Sequence, residues 1–127
     1  MSLSDYKVNP TVGVSDMEKA KEFYEQRLGL GNGEDTGDGG RDYECGGGTT
    51  LHVYPSPSAS PSGATLLAWE VDDLESAVDD LASNGVTFEQ YDEPMKTDEK
   101  GIVGFQDGKG AFFKDPDGNI LALAQSQ

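Results

Sequence analysis

The sequence predicts an α+β fold built from two tandem βαβββ modules. Three observations predict it: a strand–cap–helix pattern that occurs twice, a Pro/Ser-rich stretch between the copies, and a strand–turn–strand segment near the C-terminus. Val14, Asp16, Met17, Ala20 and Tyr24 match Val71, Asp73, Leu74, Ala77 and Leu81 at a constant offset of 57. Gly29 and Leu30 then match Gly85 and Val86 at an offset of 56, the single-residue slip that a structural repeat tolerates.

The elements follow in chain order. Val8–Ser15 alternates as a short strand, and Asp16 is placed to cap a helix whose apolar face is Ala20, Phe23, Tyr24 and Leu28, with Gly29 as its stop. Strands are expected near Gly31–Gly33, over Arg41–Cys45 and over Thr49–Tyr54, with Gly46–Gly48 as a hairpin turn rather than a phosphate loop, because it lacks Lys and a following helix. Residues 55–63 have linker composition. The second copy opens with a strand over Leu66–Asp72. A helix capped by Asp73 follows, with Leu74, Ala77, Val78 and Leu81 as its face and Gly85 as its stop. Strands are then expected over Val86–Tyr91, Ile102–Gln106, Ala111–Lys114 and Ile120–Ala124, with a mobile polar loop over Pro94–Lys100. In the last turn Pro116 presets φ, Asp115 and Asp117 bond the local backbone, and Gly118 supplies positive φ. The expected organisation is one domain over 1–127, with module one at 5–55, a linker at 56–63 and module two at 64–126.

Charge and composition exclude several function classes. The 127 residues carry 24 acidic against 9 basic side chains, a formal net charge of −15. A phosphate backbone or an anionic membrane would be repelled, so neither nucleic acid nor membrane is an expected partner. Cys45 is the only cysteine, so there is no disulfide framework and no cysteine metal site. The N-terminal segment lacks a signal peptide's basic and hydrophobic regions, and a reducing, cytoplasmic setting is expected. The acidity also suits a salt-rich cytoplasm, where screening weakens self-repulsion.

With these residues in view, the chain resembles the vicinal oxygen chelate superfamily, which includes glyoxalase I, bleomycin-resistance proteins, fosfomycin-resistance enzymes and extradiol dioxygenases. The resemblance rests on Val12-Gly-Val-Ser-Asp-Met17 leading to Phe23-Tyr24 and Leu28-Gly29-Leu30. It rests equally on Val71-Asp-Asp-Leu74 leading to Gly85-Val86, and on Phe113-Lys-Asp-Pro-Asp-Gly-Asn119. It implies that the modules' mixed sheets curve into a cup around a divalent metal held by four ligands, usually His and Glu. Carried onto this chain, those positions are Asn9, His52, Leu66 and Ala122. Only His52, the sole histidine, is a good ligand; Asn9 offers a weak amide oxygen, and Leu66 and Ala122 offer no donor. No metal and no cofactor are therefore expected, although a carboxylate such as Glu70 is the nearest candidate for rebuilding a site.

What remains is a cup able to take a ligand. Alternation puts Thr50, His52 and Tyr54 on its lining, with Asn9, Thr11 and Gly13 from the first strand and Leu66, Ala68 and Glu70 from its counterpart. Leu51 and Val53 face the helices; Trp69 shares its side with Leu67 and Val71 and reads as core. Glu89, Tyr91 and Asp92 are placed at the rim, and Phe112 and Phe113 lie on opposite faces, with the hairpin register left open. The ligand-binding candidates are His52, Tyr54, Thr50, Asn9, Leu66, Glu70, Tyr91 and Ala122. The expected function is metal-independent binding of a small hydrophobic or aromatic molecule by a homodimer. The alternatives are a glyoxalase-like lyase, isomerase or dioxygenase with a degenerate or rebuilt metal site, and a regulatory module without a ligand.

Overall fold

The structure, a computed structural model, describes residues 2–93 and 95–127. It divides into two compact units, the first ending at Ser60 and the second beginning at Pro61. Unit one contains β1 (Thr11–Val14), α1 (Met17–Lys21) widening into a π-helical turn over Glu22–Arg27, β2 (Glu34–Asp35), β3 (Arg41–Glu44) and β4 (Thr50–Pro55). Unit two contains β5 (Thr65–Glu70), α2 (Leu74–Ser83), β6 (Ile102–Phe105), β7 (Gly108–Lys114) and β8 (Ile120–Ser126). The sheet orders are β1-β4-β3-β2 and β5-β8-β7-β6. In each, the first strand lies parallel to the last and the other pairs are antiparallel. Two mixed sheets with one shared topology are the expected pair of βαβββ modules.

Both helix starts follow from their aspartates. The Asp16 carboxylate accepts the backbone N–H groups of Glu18 and Lys19, and the Asp73 carboxylate accepts that of Ser76, satisfying donors that no helical carbonyl reaches. The slip in the repeat has a physical cause. Leu28 N–H donates to the Phe23 carbonyl at 2.9 Å, a span of five residues, so the π turn over Glu22–Arg27 absorbs the one residue that α2 lacks.

The helix faces build the cores. In unit one, Ala20 and Tyr24 are buried with Val12, Val14, Tyr43, Leu51 and Val53, and the rings of Tyr24 and Tyr43 stack at 6.3 Å. In unit two, Leu74 and Val78 are buried, as are Ala111, Phe113, Leu121 and Leu123 of the sheet. Burying each large apolar side chain contributes about 1.5–3 kcal/mol. Trp69 is half-buried and stacks on Phe113 at 6.4 Å, consistent with a core-side position.

Several expected elements differ. No strand forms at Gly31–Gly33, because Gly31 and Gly33 hold φ of 85° and 66°, values outside extended backbone; β2 instead forms at Glu34–Asp35. The first strand starts at Thr11, so Asn9 precedes it. Val86–Tyr91 makes only an isolated bridge from Phe88 to Phe113. The physical reason is competition: β6 pairs with β7 up to Ala111, so the 86–91 segment meets β7 only beyond it, where Glu89 N–H reaches the Phe112 carbonyl. Of the polar loop, Pro94 lies outside the described residues. Its remainder is well bonded: the buried Thr97 hydroxyl accepts Tyr91 N–H, and Asp98 Oδ1 accepts the N–H groups of Lys100 and Ile102.

The final turn forms as the residues dictate. Asp115 Oδ1 accepts Asp117 N–H and Asn119 N–H, Oδ2 accepts the Asn119 amide, and Gly118 holds φ of 88°. Because this turn fixes the β7–β8 register, Phe113 pairs with Leu121 on the helix side and Phe112 with Ala122 on the other. Among the described residues no helix is long and apolar enough to cross a membrane.

Candidate ligand-binding faces

Each sheet has one face against its helix and one face away from it. In unit one, strand pairing puts Thr11 and Asp42 beside His52, Gly13 beside Tyr54, and Glu44 beside Thr50. These residues share the face opposite the buried Leu51, Val53 and Tyr43. Glu34, paired with Asp42, adds a further carboxylate. Gly13 leaves room for the Tyr54 ring, whose Cζ and hydroxyl lie 3.5 Å from where a Cβ would stand. Tyr54 in turn stacks on His52, with centroids 5.5 Å apart and planes 11° from parallel.

The centre of this face is His52, and both of its ring nitrogens are engaged. Nδ1 lies 2.7 Å from Asp42 Oδ1 and Nε2 lies 2.8 Å from Asp38 Oδ2. Two carboxylates can both accept only from the doubly protonated ring. Partial burial works against the charged ring, but hydrogen bonds and charge from Asp38 and Asp42 outweigh it, so the His52 pKa is raised. Asp38 is held down to about 2, by the Thr36 hydroxyl first, then by Gly40 N–H and by His52.

A pH dependence of stability follows from these two shifts. A raised imidazole contributes fully below its unfolded pKa of about 6.5 and loses that contribution as pH rises through the folded value. A depressed carboxylate contributes fully above its unfolded pKa of about 3.9 and loses it as pH falls toward the folded value. The stability difference between the parent and His52→Gln should therefore be greatest between about pH 4 and 6.5 and shrink on either side. Urea denaturation of both proteins across pH 3–9 checks this; a flat difference would contradict it.

The other candidates in unit one have different roles. Asn9 Oδ1 accepts Thr50 N–H at 3.1 Å, so its amide oxygen is committed to the backbone of β4. Thr50 stays on the open face at the Glu44 end. A shallow pocket of about 360 Å³ is lined by Leu30, Gly33, Glu34, Asp42 and Glu44.

In unit two the open face is apolar. Ala68, Phe105, Phe112, Ala122 and Ala124, with Lys109 at the side, line a hollow of about 320 Å³. Ala122 forms part of that hollow, and Tyr91 packs edge-on against Phe112 at 6.0 Å, so these two candidates share a neighbourhood. Leu66 does not line the hollow. It falls where the β5–β8 register slips between Thr65 and Leu67, and it is 44% exposed, so simple alternation from Ala68 misplaces it. Glu70 accepts the Ser126 hydroxyl at 3.2 Å, at the ends of β5 and β8. Glu89 pairs with Lys114 at 3.5 Å.

The four positions implied for a metal do not fit one. Asn9 gives its oxygen to Thr50, Leu66 and Ala122 have no donor, and both nitrogens of His52 face carboxylates. Among the described residues no three His, Cys, Asp or Glu side chains gather as a metal set.

Sequence reasoning missed Asp38 and Asp42. Asp42 had a readable signal: counting outward from the Gly46–Gly48 turn through Glu44 and Thr50 sets it opposite His52. Asp38 had none, because its position depends on how the turn after β2 folds.

Comparison with known proteins agrees with this architecture. No curated protein matches the chain. Among solved structures, TnmS3, an antibiotic binding protein from Streptomyces sp. CB03234, matches with 26% identity and a TM-score of 0.70, covering 96% of this chain and 98% of its own. A glyoxalase/bleomycin resistance protein from the same organism has 28% identity and a TM-score of 0.65, with 91% and 96% covered. A glyoxalase/dioxygenase from Nostoc punctiforme, at 21% identity and a TM-score of 0.67 with 100% and 95% covered, shares the fold. Residues 8–123 match the family model itself, and the chain belongs to the Glyoxalase/Bleomycin resistance protein/Dioxygenase superfamily.

Proposed function

We propose that this protein is a metal-independent small-molecule binding protein that takes a small hydrophobic or aromatic guest on its open sheet faces. The observation that carries this reading is the engagement of His52 on both nitrogens. A ring held as imidazolium between two carboxylates has no lone pair for a metal and none for a proton. It is instead a flat surface stacked with the ring of Tyr54. The apolar hollow around Phe112 and Ala122 supports the same class of guest. The likeness to TnmS3, an antibiotic binding protein, supports small-molecule binding. The rival reading, a glyoxalase-like lyase, isomerase or dioxygenase, requires a metal set or a free base, and His52 with both nitrogens engaged supplies neither.

Protein purified without chelator should contain far less than stoichiometric zinc, nickel, iron or manganese. A thermal-shift screen of aromatic and hydrophobic compounds should find stabilising binders by mass action. His52→Ala and Tyr54→Ala should each weaken such a binder by about 1 kcal/mol or more. Stoichiometric metal, or unchanged binding in both variants, would overturn the reading.

We also propose a homodimer. The terminal strands of the sheets are β1 and β2 in one and β5 and β6 in the other, and pairing of two copies is a common way of covering terminal strands. Sedimentation at high micromolar concentration should give the mass of two chains; a monomer alone would refute it.

A further inference from the structure

We propose that residues 36–40 form a strap latched to His52 through Asp38, and that opening the strap frees the outer nitrogen of the ring while Asp42 keeps the inner one. The two oxygens of Asp38 divide the work. Oδ1 organises the turn itself, accepting the Thr36 hydroxyl at 2.5 Å and Gly40 N–H at 2.9 Å. Oδ2 makes the contact to His52 Nε2 at 2.8 Å. Thr36 N–H to the Gly40 carbonyl and Gly39 N–H to the Thr36 carbonyl close the loop, with Gly39 at φ of 87°.

The tip of the turn, residues 37–39, is lightly held, while Gly40 at its base is buried. Gly37, Asp38 and Gly39 are exposed, and the Asp38 side chain is 48% exposed. Apart from the His52 contact, the turn meets the sheet where Gly39 comes beside the Pro55 ring and where its last residue, the buried Gly40, lies against the Val53 carbonyl and Tyr54 of β4. By contrast Asp42 sits on β3, in register with His52, so its backbone cannot move away without breaking the sheet. The ring thus has one partner whose backbone the sheet fixes and one carried on the tip of a turn. Closed, the face presents a carboxylate–imidazolium–carboxylate array with both ring nitrogens engaged. Open, it presents an Asp42-oriented imidazole with Nε2 available to an incoming group.

Amide hydrogen exchange on the full, untagged chain near pH 6 tests this. His52→Ala should speed exchange at Gly39 and Gly40 about tenfold or more, because the strap opens locally without its latch. Cys45 N–H, bonded to the Thr49 carbonyl at the far end of the β3–β4 pair, should keep its protection. Exchange at Gly39 and Gly40 within about twofold of the parent would mean the turn is self-sufficient, and would overturn the proposal. If Cys45 loses protection as well, that variant has disturbed the sheet and Asp38→Asn decides. The chain's single histidine gives one set of imidazole C–H resonances. Their shift and a lower titration midpoint in Asp38→Asn support the latch; unchanged resonances and midpoint refute it.

Discussion

Phe113→Ala should destabilise the protein by about 3–5 kcal/mol, the range for removing a fully buried phenylalanine ring. Phe113 is 0% exposed. Its ring meets Phe88 edge-on at 5.5 Å and lies parallel to Trp69 at 6.4 Å. Its backbone pairs with Leu121 and bridges to Phe88. Truncation therefore removes the shared partner of two other rings and leaves a hole between β7 and the 86–91 segment, which that bridge, the Tyr91–Phe112 contact and the Glu89–Lys114 pair tie to the sheet. Phe113→Leu should recover a large part of the loss, since it refills volume without restoring the ring contacts. Equilibrium urea denaturation of the three proteins measures this. A loss under about 1 kcal/mol for Phe113→Ala would show that the site collapses freely around the gap.

Gly40→Ala should cost about 1–3 kcal/mol and should also disturb His52, although it adds only a methyl group. A Cβ at Gly40 would overlap the Val53 carbonyl oxygen and stand 2.8 Å from Tyr54 Cα. Both are main-chain atoms of β4, so no side chain can swing aside. The relief available is to lift the start of β3 away from β4. That movement shifts Gly40 N–H from Asp38 and loosens the Asp42–His52 pairing. The measurements are urea denaturation and the imidazole resonances of the single histidine. Parent-like values for both would refute the steric argument. Gly37→Ala is the control: no atom lies within 4 Å of its added Cβ, and its cost should be within about 0.5 kcal/mol.

Much of this architecture is legible in the residues themselves. Asp16 and Asp73 announce their helices because a short acceptor before an apolar face satisfies orphan N–H groups wherever it occurs. The Asp115–Gly118 turn is likewise local chemistry, and once formed it decides which of Phe112 and Phe113 is buried. Reading ends where competition between segments decides. Nothing within Val86–Tyr91 says that β6 has already claimed most of the edge it would pair with. Leu66 looks like a partner in alternation with Ala68 until the register slip displaces it. The same holds at the candidate faces. Strand parity puts His52 and Tyr54 on one face, and the family resemblance singles out His52, but the carboxylate on the outer nitrogen comes from a glycine-rich turn that carries no periodic pattern.

The wide turn at Glu22–Arg27 shows where this chain can change length. One more residue in a strand would reverse the facing of every side chain beyond it. In the first helix, the additional residue is taken up by one looser backbone ring, and Gly29 still ends the helix on cue. The first half thus carries a surplus residue that stays out of the strands, so an insertion here leaves inward and outward positions of the sheet unexchanged.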